Sequence, residues 1–205
     1  MVRITAPPPL HIPSPSFYFL PTDSHIIRIF DPTKHQTTAL TFRFYGPLGR
    51  FDHHRGSNPQ DDPRGIYYAA LTFSGCLVEV FGDTGLIEIG QKCVCFPILT
   101  RGLKLLDLRG SGAMKAGSVA ALAKTADRSV SQEWSRYFYH EQKIYSEIDG
   151  IIYFNAHNDE EAIALYERAN NALICPSGRT LRLDRPNLRP AIQKAALDNN
   201  LILEF

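Results

Sequence analysis

The chain has 205 residues, 44% hydrophobic and 11% aromatic, enough to bury the core of one domain. Its 22 basic and 21 acidic residues leave a formal charge of +1, so no global field draws it to nucleic acid or anionic lipid, and an anionic ligand has to be held by local arginines. The apolar runs fall short of the roughly 18 residues that span a bilayer, and the amino terminus lacks the basic start and apolar stretch of a secretory signal, so a soluble, cytoplasmic protein is expected.

Residues 1–24 carry Pro7, Pro8, Pro9, Pro13, Pro15 and Pro21, which fix φ and remove ladder donors. The segment is predicted to be an extended arm outside the folded layers. Its patch Phe17–Phe19 would pack on the body of the protein or on another chain, a homodimer mate included. The domain proper spans 25–205. It starts with a β-branched strand, His25–Phe30, closed by Asp31-Pro32, and a second strand near Leu40–Tyr45. From Arg50 to Arg64 the residues are mostly polar, with Asp52, His53, His54, Asp61 and Asp62, and the stretch reads as a solvated loop. Three consecutive metal-capable residues, Asp52-His53-His54, rarely converge on one ion, so no metal is assigned, although a metal-dependent enzyme built on His53 and His54 stands as an alternative.

Gly65–Ala70 returns to strand character, and Phe73–Phe81 has apolar residues at helical spacing, placing Glu79 near a helix end. Leu86–Ile89, Cys93–Ile98 and Leu103–Leu108 read as short strands. Cys93 and Cys95 share one strand face and read as buried free thiols. Gly110-x-Gly112 with Gly117 lacks the spacing and lysine of a phosphate loop and reads as a flexible turn before the Ala-rich helical stretch Ser118–Lys124. Ser129 with Gln132 forms a capping box ahead of the core anchors Trp134, Tyr137 and Phe138. Asp149–Phe154 is a strand, and helix propensity dominates Glu160–Asn170, with Asn158 as a cap. A helix from Pro190, a left-handed cap at Asn199 or Asn200 and a strand Leu201–Phe205 end the chain. Short strands among a few helices, without βαβ spacing, indicate an α+β domain with a mixed or antiparallel sheet.

Gly49-Arg50-Phe51, Gly65-Ile66-Tyr67-Tyr68-Ala69-Ala70 and Cys76-Leu77-Val78-Glu79-Val80-Phe81 together resemble the signature of the RES domain family, in which an Arg-aromatic pair precedes a Tyr-x-Ala strand and a glutamate follows the tyrosine by eleven residues. Ile26-Ile27-Arg28-Ile29 looks like the family's first arginine-bearing strand, and Asp149-Gly150-Ile151-Ile152-Tyr153 like the strand that delivers its serine, which falls on Asn155 here. The loop between Arg50 and Tyr68 is longer than in most members. The resemblance implies an ADP-ribosyltransferase-like fold, a strand rather than a helix after Glu160, and a toxin that degrades NAD, commonly held silent by an antitoxin protein with a helix-turn-helix domain.

The residue types suit that chemistry. Arg28 and Arg50 can present bidentate forks to a pyrophosphate, with Arg43 in reserve. Tyr68 and Phe51 can wall the nicotinamide, and Tyr153 shares a strand face with Asn155. Glu79, ionised, can oppose the oxocarbenium-like ribose left by nicotinamide. Asn155 can replace the serine hydroxyl as donor and acceptor. The catalytic set is therefore Glu79, Tyr68 and Asn155, and the dinucleotide-binding set Arg28, Arg50, Phe51 and Tyr153. Cleavage of the nicotinamide–ribose bond by water or phosphate is the expected reaction. Transfer of ADP-ribose to a protein, and a catalytically weakened binding module, are the alternatives. His140 and His157 read as polar surface, with His157 within reach of a cleft and able to titrate near neutral pH.

Overall fold

In the computed structural model, which describes residues 2–204, the chain runs through β1 (Phe17–Leu20), β2 (Arg28–Phe30), β3 (Arg43–Gly46), β4 (Gln60–Ala70), α1 (Phe73–Phe81), β5 (Leu86–Glu88), β6 (Cys93–Cys95), β7 (Ile98–Leu99) and β8 (Leu103–Asp107). It continues through α2 (Ser111–Lys115), α3 (Arg128–His140), α4 (Gln142–Tyr145), β9 (Gly150–Phe154), β10 (Glu161–Tyr166), β11 (Leu173–Ile174), β12 (Thr180–Arg182), α5 (Arg189–Asp198) and β13 (Ile202–Glu204). The expected last strand also included Phe205, which lies outside the described residues. Among the described residues no helix is long and apolar enough to cross a membrane.

A six-stranded sheet, β1-β8-β9-β10-β4-β3, forms the middle of an α+β fold. Its neighbours are antiparallel except β8 and β9, which run parallel, so the sheet is mixed. Strand alternation sorts the side chains to two faces. Leu106, Ile151, Tyr153, Ala162, Ala164 and Tyr166 face a core closed by Trp134 and Phe138 of α3 and Tyr145 of α4. Leu103, Leu105, Ile152, Ile163, Leu165 and Tyr67 face the opposite core, which holds Leu20, Ile26, Phe42 and Leu99. A third cluster joins α1 and α5 to the sheet β12-β6-β2 through Leu77, Phe81, Val94 and Ile192.

Three local expectations give way to tertiary contacts. The arm contributes a strand: Phe17–Leu20 contains no proline, and β1 pairs with Leu103–Leu106 at the sheet edge, so it packs on the chain's own body. At Glu161–Tyr166 the strand implied by the resemblance wins over helix propensity. An isolated helix of this length is marginal in water, whereas here both edges of the backbone pair, with Ala164 opposite Tyr68 and Ala162 opposite Tyr153. The two small residues leave room on that face for the tyrosine rings. Helix α3 is capped not by Ser129 but by Asp127, whose carboxylate accepts from Ser129 N at 3.0 Å, while Gln132 donates to Gly49 O at 2.9 Å. The Ser118–Lys124 stretch is a 3₁₀ turn over Ala120–Lys124, and Asn200 takes the left-handed conformation with φ of 52°.

Candidate active site

A cavity of about 860 Å³ opens where β2, β3, β4, α1 and the end of β9 meet. Arg28, Arg43, Arg50, Tyr68, Glu79, Asp83, Arg128, Tyr153 and His157 are among its lining residues. Five of the seven residues singled out from the sequence, Arg28, Arg50, Tyr68, Glu79 and Tyr153, therefore converge from segments far apart in the chain.

Glu79 arrives on α1, whose start is capped by Thr72 accepting from Gly75 N at 2.9 Å and whose inner face buries Cys76, Leu77, Val78 and Phe81. Glu79 and Val80, one turn on from Cys76, stay exposed and line the cavity together with it. The carboxylate sits in the last turn, near the negative end of the helix dipole. Solvent reaches it along the cavity, yet protein crowds its other sides, and the resulting desolvation raises its pKa against the opposing pull of Arg50 and His157.

The arginines fall into two kinds. Arg28 donates to Thr41 O at 2.7 Å with its guanidinium 4.4 Å from the Tyr67 ring centroid, Arg50 donates to Thr125 O, and Arg128 donates to Leu48 O at 2.9 Å. None of these three has a carboxylate in a salt bridge among the described residues. Arg43 does: its guanidinium holds both oxygens of Asp52 at 2.8 and 2.9 Å.

Asp52 is the residue the sequence reading missed. Read as part of a solvated loop, it is fully buried, as are His53 and His54. Beside Arg43, its carboxylate accepts from Leu48 N at 2.6 Å, Gly49 N at 2.9 Å and the Tyr68 hydroxyl at 2.8 Å. The same hydroxyl accepts from Phe51 N at 2.9 Å. Burial and the Asp52 charge push the Tyr68 pKa far up, so the phenol stays protonated and donates. Asp52 thus pins the turn before Arg50 to the strand that carries Tyr68. Its only sequence cue was its place directly after Arg50-Phe51.

The histidine alternative does not assemble. His53 packs against the rings of both Tyr139 and Tyr166 at 4.6 and 4.2 Å, with Nε2 2.8 Å from Glu167 Oε2, while His54 packs beneath Gly46, where a Cβ would fall 2.6 Å from its ring. Desolvation lowers the pKa of both. Among the described residues no group of three or more His, Cys, Asp or Glu side chains is placed to hold a metal ion. His140 is exposed, as expected, with its Nε2 3.0 Å from an Arg64 guanidinium nitrogen. Cys93 and Cys95 are buried free thiols.

Phe51 and Asn155 are not among the lining residues. The Phe51 ring is fully buried and packs on Tyr153 at 4.8 Å, backing the wall rather than forming its surface. Tyr153 and Asn155 were expected on one strand face, but β9 ends at Phe154 and the chain turns there, so the two-residue repeat no longer applies. Asn155 is fully buried in that turn: its Oδ1 accepts from the backbone N–H groups of His157 and Asn158 at 2.9 Å each, and its Nδ2 donates to Asn158 Oδ1 at 2.7 Å.

Fold and cleft together define a mixed-sheet α+β protein with an arginine-rich, tyrosine-walled cavity around one helix-borne glutamate. The RES domain family profile matches residues 25–185, and the chain belongs to that family. No protein of curated function matches it. Among solved structures, a chain of the M. tuberculosis MbcT-MbcA toxin-antitoxin complex is similar in fold, with a TM-score of 0.58 and 14% sequence identity over 86% of this chain and 92% of that one.

Proposed function

We propose that the protein is a toxin-type enzyme that binds NAD in this cavity and breaks its nicotinamide–ribose bond, passing ADP-ribose to water, to phosphate or to a protein side chain. The observation that carries the reading is the convergence of Arg28 and Arg50, both without salt bridges among the described residues, with Tyr68 and Tyr153 around Glu79, in a member of the RES domain family. The arginines would take the pyrophosphate, the tyrosines would bound the nicotinamide riboside, and ionised Glu79 would face the cationic ribose. Nicotinamide leaves as a neutral molecule, so no acid is required for it. A protein antitoxin, of the helix-turn-helix kind that the family resemblance implies, belongs to the same reading, and the similarity in fold to a chain of a toxin-antitoxin complex supports a protein partner. Incubating the purified chain with NAD and measuring nicotinamide release tests the proposal; NAD that stays intact refutes it.

For Arg28→Ala and Arg50→Ala, NAD affinity is expected to fall roughly tenfold or more and the remaining binding to respond less steeply to salt, because each change removes a phosphate contact. Calorimetric titration at two ionic strengths checks this, and an unchanged affinity assigns the residue to structure alone.

Asn155 acts here as the residue that shapes the turn carrying His157. Asn155→Ala leaves two buried backbone donors without their partner and is expected to cost about 1–3 kcal/mol of stability together with turnover. Asn155→Ser keeps an acceptor of the kind that closes such turns and should retain most of both. Thermal midpoints and NAD turnover for the two variants give the answer, and an alanine variant equal to the parent in both would remove Asn155 from the machinery.

A further inference from the structure

The proposed function gives no role to a histidine in the cavity. His157 lines it beside Glu79 and Asp83. The two carboxylates are four residues apart, and Gly82 between them keeps helical backbone angles (φ −62°, ψ −35°), so both project from one ridge at the end of α1. A Cβ on Gly82 would fall 2.7 Å from His157 Cγ and 2.8 Å from Nδ1, so the imidazole rests directly on that backbone and a glycine is what admits it. Nε2 of the ring is 3.5 Å from Asp83 Oδ1.

The chain behind the ring is tied down as well. Asn155 holds the His157 N–H, and Glu160, at the far end of the same turn, accepts from Thr72, from Ser74 Oγ at 2.6 Å and from Gly75 N at 3.1 Å. The turn that carries the imidazole is therefore bolted to the start of the helix that carries Glu79. His35, the other histidine of the lining, sits exposed on the loop after β2.

Resting on the NAD-cleaving reading, we propose that His157 is the proton acceptor for the incoming nucleophile, with Asp83 orienting the imidazole. As the bond from ribose C1′ to nicotinamide nitrogen breaks, nicotinamide leaves with the electron pair. The oxygen of a water molecule bonds to C1′, its proton passes to the imidazole, and the imidazolium releases it to solvent, giving ADP-ribose, nicotinamide and one proton. Glu79 keeps its charge opposite the cation throughout, so a separate base is needed, and imidazole suits that task near neutral pH. The charged groups around His157 are Glu79 on α1, Asp83 in the turn just after it, Arg50 across the cavity, and Asp159 and Glu160 on its own turn. Lys124 pairs with Asp159, and Thr72 and Ser74 bind Glu160, which leaves Asp83 as the carboxylate in contact with the ring.

The test is the pH dependence of nicotinamide release at saturating NAD for the parent, His157→Gln and Asp83→Asn. His157→Gln is expected to lower kcat at neutral pH at least about tenfold, with KM within about twofold, while the acid limb of Glu79 stays. Asp83→Asn, at an exposed position, removes the carboxylate that orients the ring and should lower kcat about threefold or more, with KM within about twofold. A His157→Gln enzyme with the parent's kcat and profile, or one altered in KM alone, overturns the assignment. Should His157→Gln fail to fold by circular dichroism, Asp83→Asn decides, and a kcat equal to the parent's overturns it. A parent chain that leaves NAD intact refutes the proposed function and this role with it, whereas a cleaving parent indifferent to His157 refutes this role alone.

Discussion

Glu79→Gln is expected to preserve the fold and lower NAD cleavage by at least about a hundredfold. The glutamine keeps the shape of the side chain and removes only its charge. The position is exposed, faces the cavity and caps nothing, while the packing of α1 is carried by Leu77, Val78 and Phe81. Stability should therefore change little. The cation that develops at the ribose, by contrast, loses the one carboxylate that the proposed function sets against it. The pH dependence follows from the direction of the Glu79 shift. Desolvation raises its pKa, and the ionised form is the working form, so the parent's rate should fall as pH drops through a value above the ordinary glutamate range. That acid limb should vanish in Glu79→Gln. Turnover near that of the parent, or an unchanged acid limb, would remove Glu79 from the chemistry.

Asp52→Ala is expected to produce the largest loss of stability, about 3–5 kcal/mol. The carboxylate is fully buried and accepts from Arg43, Leu48 N, Gly49 N and the Tyr68 hydroxyl. Alanine leaves the Tyr68 hydroxyl and two backbone donors without an acceptor and takes from Arg43 its carboxylate partner. Against a total stability of about 5–15 kcal/mol for an ordinary domain, a loss of that size brings the variant close to unfolding at moderate temperature. Asp52→Asn keeps the volume and one acceptor oxygen but turns an amide toward a set of donors, so it should fall between alanine and the parent. Urea midpoints measure the series. An alanine variant within about 1 kcal/mol of the parent would mean that water can satisfy these donors and that Asp52 is no hub. Because Asp52 fastens the turn before Arg50 to Tyr68, NAD affinity should fall with stability, and folded Asp52→Asn is the variant in which to see it.

The two predictions differ in how visible their residues were beforehand. Glu79 stood out through its spacing from Tyr68 and its place at the end of a helix readable from its apolar period. Arg28, Arg50, Tyr68 and Tyr153 came from the same family pattern, and the cavity collects all of them. Phe51 and Asn155 belonged to that pattern too, yet they sit one layer behind the surface, because a family pattern preserves position along the chain and not which atoms reach the cavity. The sequence marks His157 as polar surface within reach of a cleft, and it is both exposed and in the cavity lining; the Gly82 backbone and Asp83, remote in sequence, give its ring a fixed place there.

The sequence by itself determined what depends on a few neighbouring residues. Phe73–Phe81 is a helix because its apolar residues recur at helical spacing, and the structure returns the same bounds. Pro190 near the start of α5 and left-handed Asn200 beyond its end likewise mark the C-terminal helix through local backbone preference. Only the tertiary structure decided the rest. Glu161–Tyr166 became a strand because two partner edges satisfied its backbone on both sides, which its own helix propensity could not outweigh. Phe17–Leu20 joined the sheet because β8 offered an edge. Asp52, His53 and His54 went inside although nothing in their polarity favours burial. Burying Asp52 is tolerable when a guanidinium, a phenol and two backbone amides replace the lost water, and those partners come from residues 43, 48, 49 and 68, which only folding brings together.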